Sequence, residues 1–211
     1  MVLNAQATNE DNYLLLKVAA ALGVDRVYLA GRPPRPDFAD DILRSADVNP
    51  NTAGSKLIGG ATAKGTQQLN ADIIAGAVRG LWILGDHVAL DEEALAALSK
   101  LEVVYQSPHD NFLSNQVSVL LPAASWAEVD GTFTNAKGLV QRVRRAVEPP
   151  GEARPHRELI ALVAKRLGVD IPNTNAKALF AEMKRSVPEW ANASFGREAL
   201  PIQLRFAGSR G

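Results

Sequence analysis

The sequence predicts an α/β fold: a doubly wound, mainly parallel sheet flanked by helices, with a glycine-rich loop segment and a small helical C-terminal part. Three observations predict it. Short apolar runs alternate with stretches of helical periodicity, most of the runs stop at glycine or proline, and Leu81-Trp82-Ile83-Leu84 lacks the polar alternation of a half-exposed strand.

Taken in order, Tyr13, Leu16 and Ala20, with Leu14 and Val18 beside them, recur at helical spacing over residues 10–22. Asn9 supplies an N-cap and Gly23 a stop. Residues 26–30 read as a strand closed by Gly31. Pro33, Pro34 and Pro36 then forbid regular structure before residues 40–46, and residues 49–54 and Gly59-Gly60 have loop chemistry. Leu69, Ile73, Ile74 and Val78 predict a helix over 66–78, after which Gly80 leads into a strand ending at Gly85. Asp91 caps a helix over 92–101, and residues 102–106 and 117–121 are strands, the second ended by Pro122. Residues 128–138 are polar and glycine-punctuated, and Thr132-Phe133-Thr134 marks a short extended piece in a loop covering the sheet's end. Residues 148–151 make a rigid turn, Pro155 opens a helix over 156–167 ended by Gly168, and a second helix spans 176–186 before Pro188. Residues 200–206 could form a strand, and the last five residues read as a frayed end. Residues 1–150 are thus the sheet module, with 151–211 as helices and tail packing on it.

The 211 residues are 46% apolar and 22% charged, which excludes disorder and fibre. There is no cysteine, so thiolate chemistry, cysteinyl zinc and cysteine-ligated iron–sulfur clusters are excluded from this chain. His87, His109 and His156 show no metal-ligand spacing, and no P-loop, dinucleotide fingerprint or hydrolase elbow occurs. No catalytic or metal-ligating residue is expected. Gly85 and Asp86 follow a buried strand at the edge where open parallel sheets bind ligands, and His87 and His109 sit at that same edge. The net charge is 0, but residues 1–136 carry −7 and residues 137–211 carry +7. Arg142, Arg144 and Arg145 lack interleaved aromatics, which argues against nucleic acid. Trp190 and Phe195, in the basic third, suggest a protein interface, the alternative for Trp190 being that it folds back on the chain's own core. The longest apolar run, residues 117–124, is too short to span a bilayer, and no leader is visible, so a cytoplasmic chain is expected.

The segment 121–141, with Leu121-Pro122, Glu128, Gly131-Thr132, Asn135, Gly138 and Gln141 in order, resembles the molybdopterin oxidoreductase family. It looks most like the large molybdopterin-type (G) subunit of NADH-quinone oxidoreductase, respiratory complex I. Pro150-Gly151-Glu152-Ala153-Arg154-Pro155 and the helix ending at Leu167-Gly168 continue the likeness, which spans residues 9–168. The resemblance implies that Gly85, Asp86, Glu128, Gly131, Thr132, Asn135 and Gln141 match cofactor-facing or loop-shaping positions for molybdopterin guanine dinucleotide. Asp86-His87 and Leu139 depart from the family's usual residues, and an acidic side chain beside a pyrophosphate is repulsive. The resemblance therefore implies a split or truncated piece of such a subunit, holding no cofactor by itself. It would be a structural component among the other subunits of an electron-transfer complex, on the cytoplasmic side of the inner membrane. The alternative is the nucleotide- or molybdopterin-binding half of an oxidoreductase whose metal and clusters lie on a partner chain.

Overall fold

The structure, a computed structural model, describes residues 1–196. Six strands, β1 (Val2–Asn4), β2 (Val27–Ala30), β3 (Ala63–Lys64), β4 (Gly80–Leu84), β5 (Glu102–Ser107) and β6 (Val119–Pro122), form one parallel sheet. Their order is β3-β2-β1-β4-β5-β6. The winding reverses between β1 and β4, and in such sheets the crevice at the strands' carboxyl ends beside the reversal is the usual ligand site.

Strand alternation divides the apolar residues between two cores. Leu3, Trp82 and Leu84 face α1 (Asn9–Ala21), α2 (Thr52–Gly59), α5 (His156–Arg166) and α6 (Ala176–Ser186). Val2, Leu81, Ile83, Val103 and Tyr105 face α3 (Thr66–Ile74) and α4 (Glu92–Ala97). The expected α/β class is therefore present, with β4 buried on both faces.

The differences from expectation have local causes. β1 is three residues long and carries too little pattern to be recognised, yet it is central. The loop expected over 49–54 becomes α2 from Thr52. The Asn51 N–H is fixed on the Ala5 carbonyl (3.0 Å), while the Asn51 carbonyl accepts from the Ser55 N–H (2.9 Å) and Oγ (2.6 Å), closing a helical turn. The cap of α1 is Thr8 rather than Asn9, its side chain accepting from the Asp11 N–H. α3 stops at Ile74 because Gly76 turns into the left-handed region at φ 64°. The segment after Glu128 is no single covering loop but an antiparallel hairpin of β7 (Gly131–Thr134) and β8 (Val140–Val143).

Of the two readings of Trp190, the structure takes packing on the chain's own core. The 3-10 turn Pro188–Trp190 folds it into the core with Phe180 and Met183, leaving 2% exposed, and Phe195 packs on Phe180 at 5.4 Å between ring centroids. The strand expected over 200–206 and the frayed end lie outside the described residues. Among the described residues no helix is long and apolar enough to cross a membrane.

Candidate functional site

The reversal point is bridged by the chain's own side chains. Asn4, the last residue of β1, donates from Nδ2 to the Asp86 carbonyl just past β4 (2.6 Å), and its Oδ1 accepts from the Gln6 N–H (2.8 Å). Gly85 permits the bridge: it adopts φ 70°, and a Cβ there would lie 3.3 Å from the Asn4 amide. Asp86 Oδ2 is 2.9 Å from His109 Nδ1 and 3.3 Å from His87 Nε2, so one carboxyl group gathers both edge histidines. His87 holds φ 63°, uncommon for a residue with a side chain. Among the described residues no group of three or more histidine, aspartate or glutamate side chains is arranged to hold a metal ion.

Beside this bridge, α1 opens with Asn9-Glu10-Asp11-Asn12, all buried. Asn12 clasps β1: its Oδ1 accepts from the Asn4 N–H and its Nδ2 donates to the Asn4 carbonyl, both at 2.9 Å. Glu10 clasps the hairpin, accepting from the Thr132 N–H at Oε2 (2.7 Å) and from Thr132 Oγ1 at Oε1 (2.8 Å). Burial pushes the Glu10 carboxyl up to about 8, outweighing the Thr132 donors that favour its charge. Asn9 donates to Thr132 Oγ1 and Thr134 Oγ1 (3.0 Å each), and Asn51 Oδ1 accepts from the Thr134 N–H (2.8 Å). Glycine makes this closeness possible. A Cβ on Gly131 would sit 2.8 Å from Thr8 Cγ2, and one on Gly54 would overlap the Asn9 and Asn51 side chains. Asp11 ties in α5 by accepting from the Arg157 N–H (3.0 Å), and His156 Nδ1 meets Gln106 Oε1 at 3.0 Å. Burial pushes the His156 imidazole down.

The seven residues expected at the site therefore fall into three groups. Gly85 and Asp86 stand at the reversal point. Gly131 and Thr132 are sealed against α1. Glu128 precedes the hairpin, while Asn135 lies in its turn and Gln141 in β8: Glu128 Oε2 accepts from the Ser125 N–H (2.7 Å) in a capping box. Asn135 Oδ1 accepts from the Lys137 and Leu139 N–H groups (3.0 Å each), and its Nδ2 reaches Gln141 Oε1 at 3.4 Å. Sequence reasoning gave Asn9 only as a helix cap and did not place Glu10, Asn12 or Asn51 among the site residues. For Asn9, Glu10 and Asn12 the signal is four consecutive polar residues at the start of a helix whose next turn is apolar; Asn51 has no comparable local signal.

A cleft of about 480 Å³ opens at the carboxyl ends of β1, β2 and β3, lined by Gly31, Arg32, Lys56, Lys64 and Thr66 among others, with no acidic residue in its wall among the described residues. Arg32, Lys56 and Lys64 suit an anionic group there.

Comparison with known proteins places these features in a family. Residues 7–166 match the molybdopterin oxidoreductase family model. Over 81 residues, 37% of this chain and 12% of the relative, the sequence is 43% identical to the F420-dependent formate dehydrogenase 2 subunit alpha of Methanococcus maripaludis. Over 139 residues, 64% of this chain and 14% of the relative, it is 30% identical to proteins of Staphylococcus aureus strains USA300 and NCTC 8325 whose name proposes formate dehydrogenase. The aligned part is about one-eighth to one-seventh of the length of these relatives.

Proposed function

The chain belongs to the molybdopterin oxidoreductase family, and from that premise we propose that it is a structural, non-redox component of an electron-transfer assembly whose metal and iron–sulfur centres lie on partner chains. The observation that carries this reading is the contact between Glu10 and Thr132. Residues that resemble the family's cofactor loop are occupied in holding the hairpin to α1. A pterin nucleotide at the reversal point would need free donors for its pyrophosphate. The Asn4 amide is already engaged, and the Asp86 carboxyl at the same edge would repel a pyrophosphate, so the residues there do not fit that group.

The names of the relatives favour a formate dehydrogenase type of assembly over the NADH-quinone oxidoreductase that the 121–141 motif implied, since none of the relatives described above is named for the latter. A second reading, the nucleotide-binding half of a divided oxidoreductase, is favoured by the cationic cleft of Arg32, Lys56 and Lys64.

The test is affinity purification of the tagged chain from native lysate, with metal analysis and identification of the co-purifying chains, and a parallel titration of the pure chain with guanosine diphosphate. Stoichiometric recovery of cluster-bearing chains, with no nucleotide bound by the pure chain, is expected. A monodisperse monomer that retrieves no such chain would overturn the proposal, and saturable nucleotide binding lost in Lys56→Ala and Lys64→Ala would establish the second reading in its place.

A further inference from the structure

The cleft at the carboxyl ends of β1, β2 and β3 continues beyond the sheet. Arg32 and Pro33 in its wall also line a second cavity, of about 270 Å³, together with Arg35, Phe38 and Val48. We propose that this continuous groove docks an acidic peptide segment of a partner protein, its carboxylates on Arg32, Lys56 and Lys64 and a large apolar side chain against Phe38 and Val48.

Charge is the first reason. Arg32, Lys56 and Lys64 are exposed, and none has a carboxylate in salt-bridge contact among the described residues; Lys56 has only the longer-range attraction of Asp47. Neither cavity has an acidic wall residue among the described residues. The carboxylates nearby are engaged elsewhere: Asp37 holds Arg35 (2.8 Å), Asp40 holds Arg44 (2.7 Å), and Asp47 Oδ1 accepts from the Asn49 N–H (3.0 Å). Three cations gathered without a counter-charge attract an anionic segment and select against a basic one.

The second reason is the loop over residues 35–46, which is closed by its own bonds. The Arg35 N–H donates to the Ala46 carbonyl (2.7 Å), and Asp40 Oδ1 accepts from the N–H groups of Ile42, Leu43 and Arg44 (3.0, 2.6 and 2.9 Å). This loop holds Phe38 at the groove, 41% exposed, with the Arg44 and Arg35 guanidinium carbons 5.0 and 5.9 Å from its ring centroid. Ile42 and Leu43 stand beside it at 86% and 89% exposure. Apolar side chains fixed in water next to a cationic groove suit a protein partner, because their ordering is done before the partner arrives. A nucleotide fits less well, since the sequence has no P-loop or dinucleotide fingerprint to gather a phosphate. An anionic membrane also fits less well: the arginines beside the exposed aliphatic pair, Arg35 and Arg44, are neutralised by Asp37 and Asp40.

This inference rests on the reading of the chain as one subunit among partner chains, and its test needs no lysate. The full chain is panned against a displayed library of random short peptides, and the selected peptides are synthesised and titrated by fluorescence anisotropy. Peptides rich in aspartate and glutamate with a large apolar residue are expected. Binding should weaken about tenfold in a Lys56→Ala, Lys64→Ala double variant and about tenfold in Phe38→Ala, all at exposed positions where the fold is kept. Lys100→Ala, outside both walls, should bind as wild type does. Selection of no peptide, or of peptides without acidic residues, overturns the proposal, as does binding that both groove variants leave unchanged. Guanosine diphosphate or phosphatidylglycerol vesicles bound through Lys56 and Lys64, with no peptide selected, would give the groove to a nucleotide or to a membrane instead. A chain that selects acidic peptides yet retrieves no cluster-bearing partner would refute the assembly and keep the groove; the converse would refute the groove alone.

Discussion

Replacing Glu10 by glutamine tests whether the buried carboxyl that clasps the hairpin carries a proton at neutral pH. Burial holds this group at about 8 in the folded chain against an ordinary value of 4.5, so the native state binds a proton that the unfolded chain has released between those two values. The sign follows: the stability contributed by Glu10 is fully present below pH 4.5 and is lost as pH rises through about 8. One retained proton gives a slope of at most about 1.4 kcal/mol per pH unit, or about 2 to 3 kcal/mol between pH 5 and 7. The Met1 ammonium, lowered to about 6 by burial, and His156, also lowered, act in the opposite sense, adding stability as pH rises. They are common to both proteins, so the difference between variant and wild type isolates Glu10. Glutamine keeps the shape and both acceptor contacts cannot be kept at once, which makes a constant offset of about 1 kcal/mol expected in addition. Urea unfolding at half-unit steps from pH 5 to 8 should show the Glu10→Gln protein gaining on wild type steadily as pH rises. A pH-independent difference would mean that Glu10 is ionised in place, with the Thr132 donors winning over burial.

Three further outcomes follow from the packing. Gly131→Ala should cost about 1–3 kcal/mol by driving a methyl group into Thr8, whereas Gly138→Ala, at φ 76° with open space around it, should cost only about 1 kcal/mol of backbone strain; equal costs in chemical denaturation would show that the hairpin does not press on α1. Trp190→Ala should lower stability by about 3–5 kcal/mol, because the ring is core; an unchanged melting temperature would restore it to an interface role. The purified chain should be colourless and free of stoichiometric iron or molybdenum by elemental analysis, because it has no cysteine and its described residues include no metal-holding cluster.

What the sequence made legible is what local pattern encodes. β4, β5 and the helices α1, α5 and α6 were readable because each carries enough residues to display a period and a stop: Leu14 and Val18 on one helix face, Gly168 after another. β1 and β3, with three and two residues, display no period, and their places in the sheet are fixed by neighbours such as Leu29 opposite Leu3. The loop reading of residues 49–54 was chemically reasonable. Asparagine and glycine there serve tertiary contact instead, Asn51 reaching Thr134 and Gly54 leaving room for Asn9.

The site was legible by a different route and only in part. The ordered residues of 121–141 identified the family, but their roles depend on partners far away in the chain. Glu10 meets Thr132 and Asn9 meets Thr134 across more than a hundred residues, so neither member of a pair announces the other. A carboxylate on a helix's first turn is ordinarily explained by the helix dipole and by solvent, and that local reading fits Glu10 equally well until the hairpin covers it. Covering it changes the chemistry: the same carboxyl that would be an exposed anion becomes a buried acid joining two elements. The polar run Asn9-Glu10-Asp11-Asn12 thus works as a set of four connectors, to the hairpin, to α5 and to β1, and its function in the fold is defined by what each side chain touches rather than by its place in the sequence.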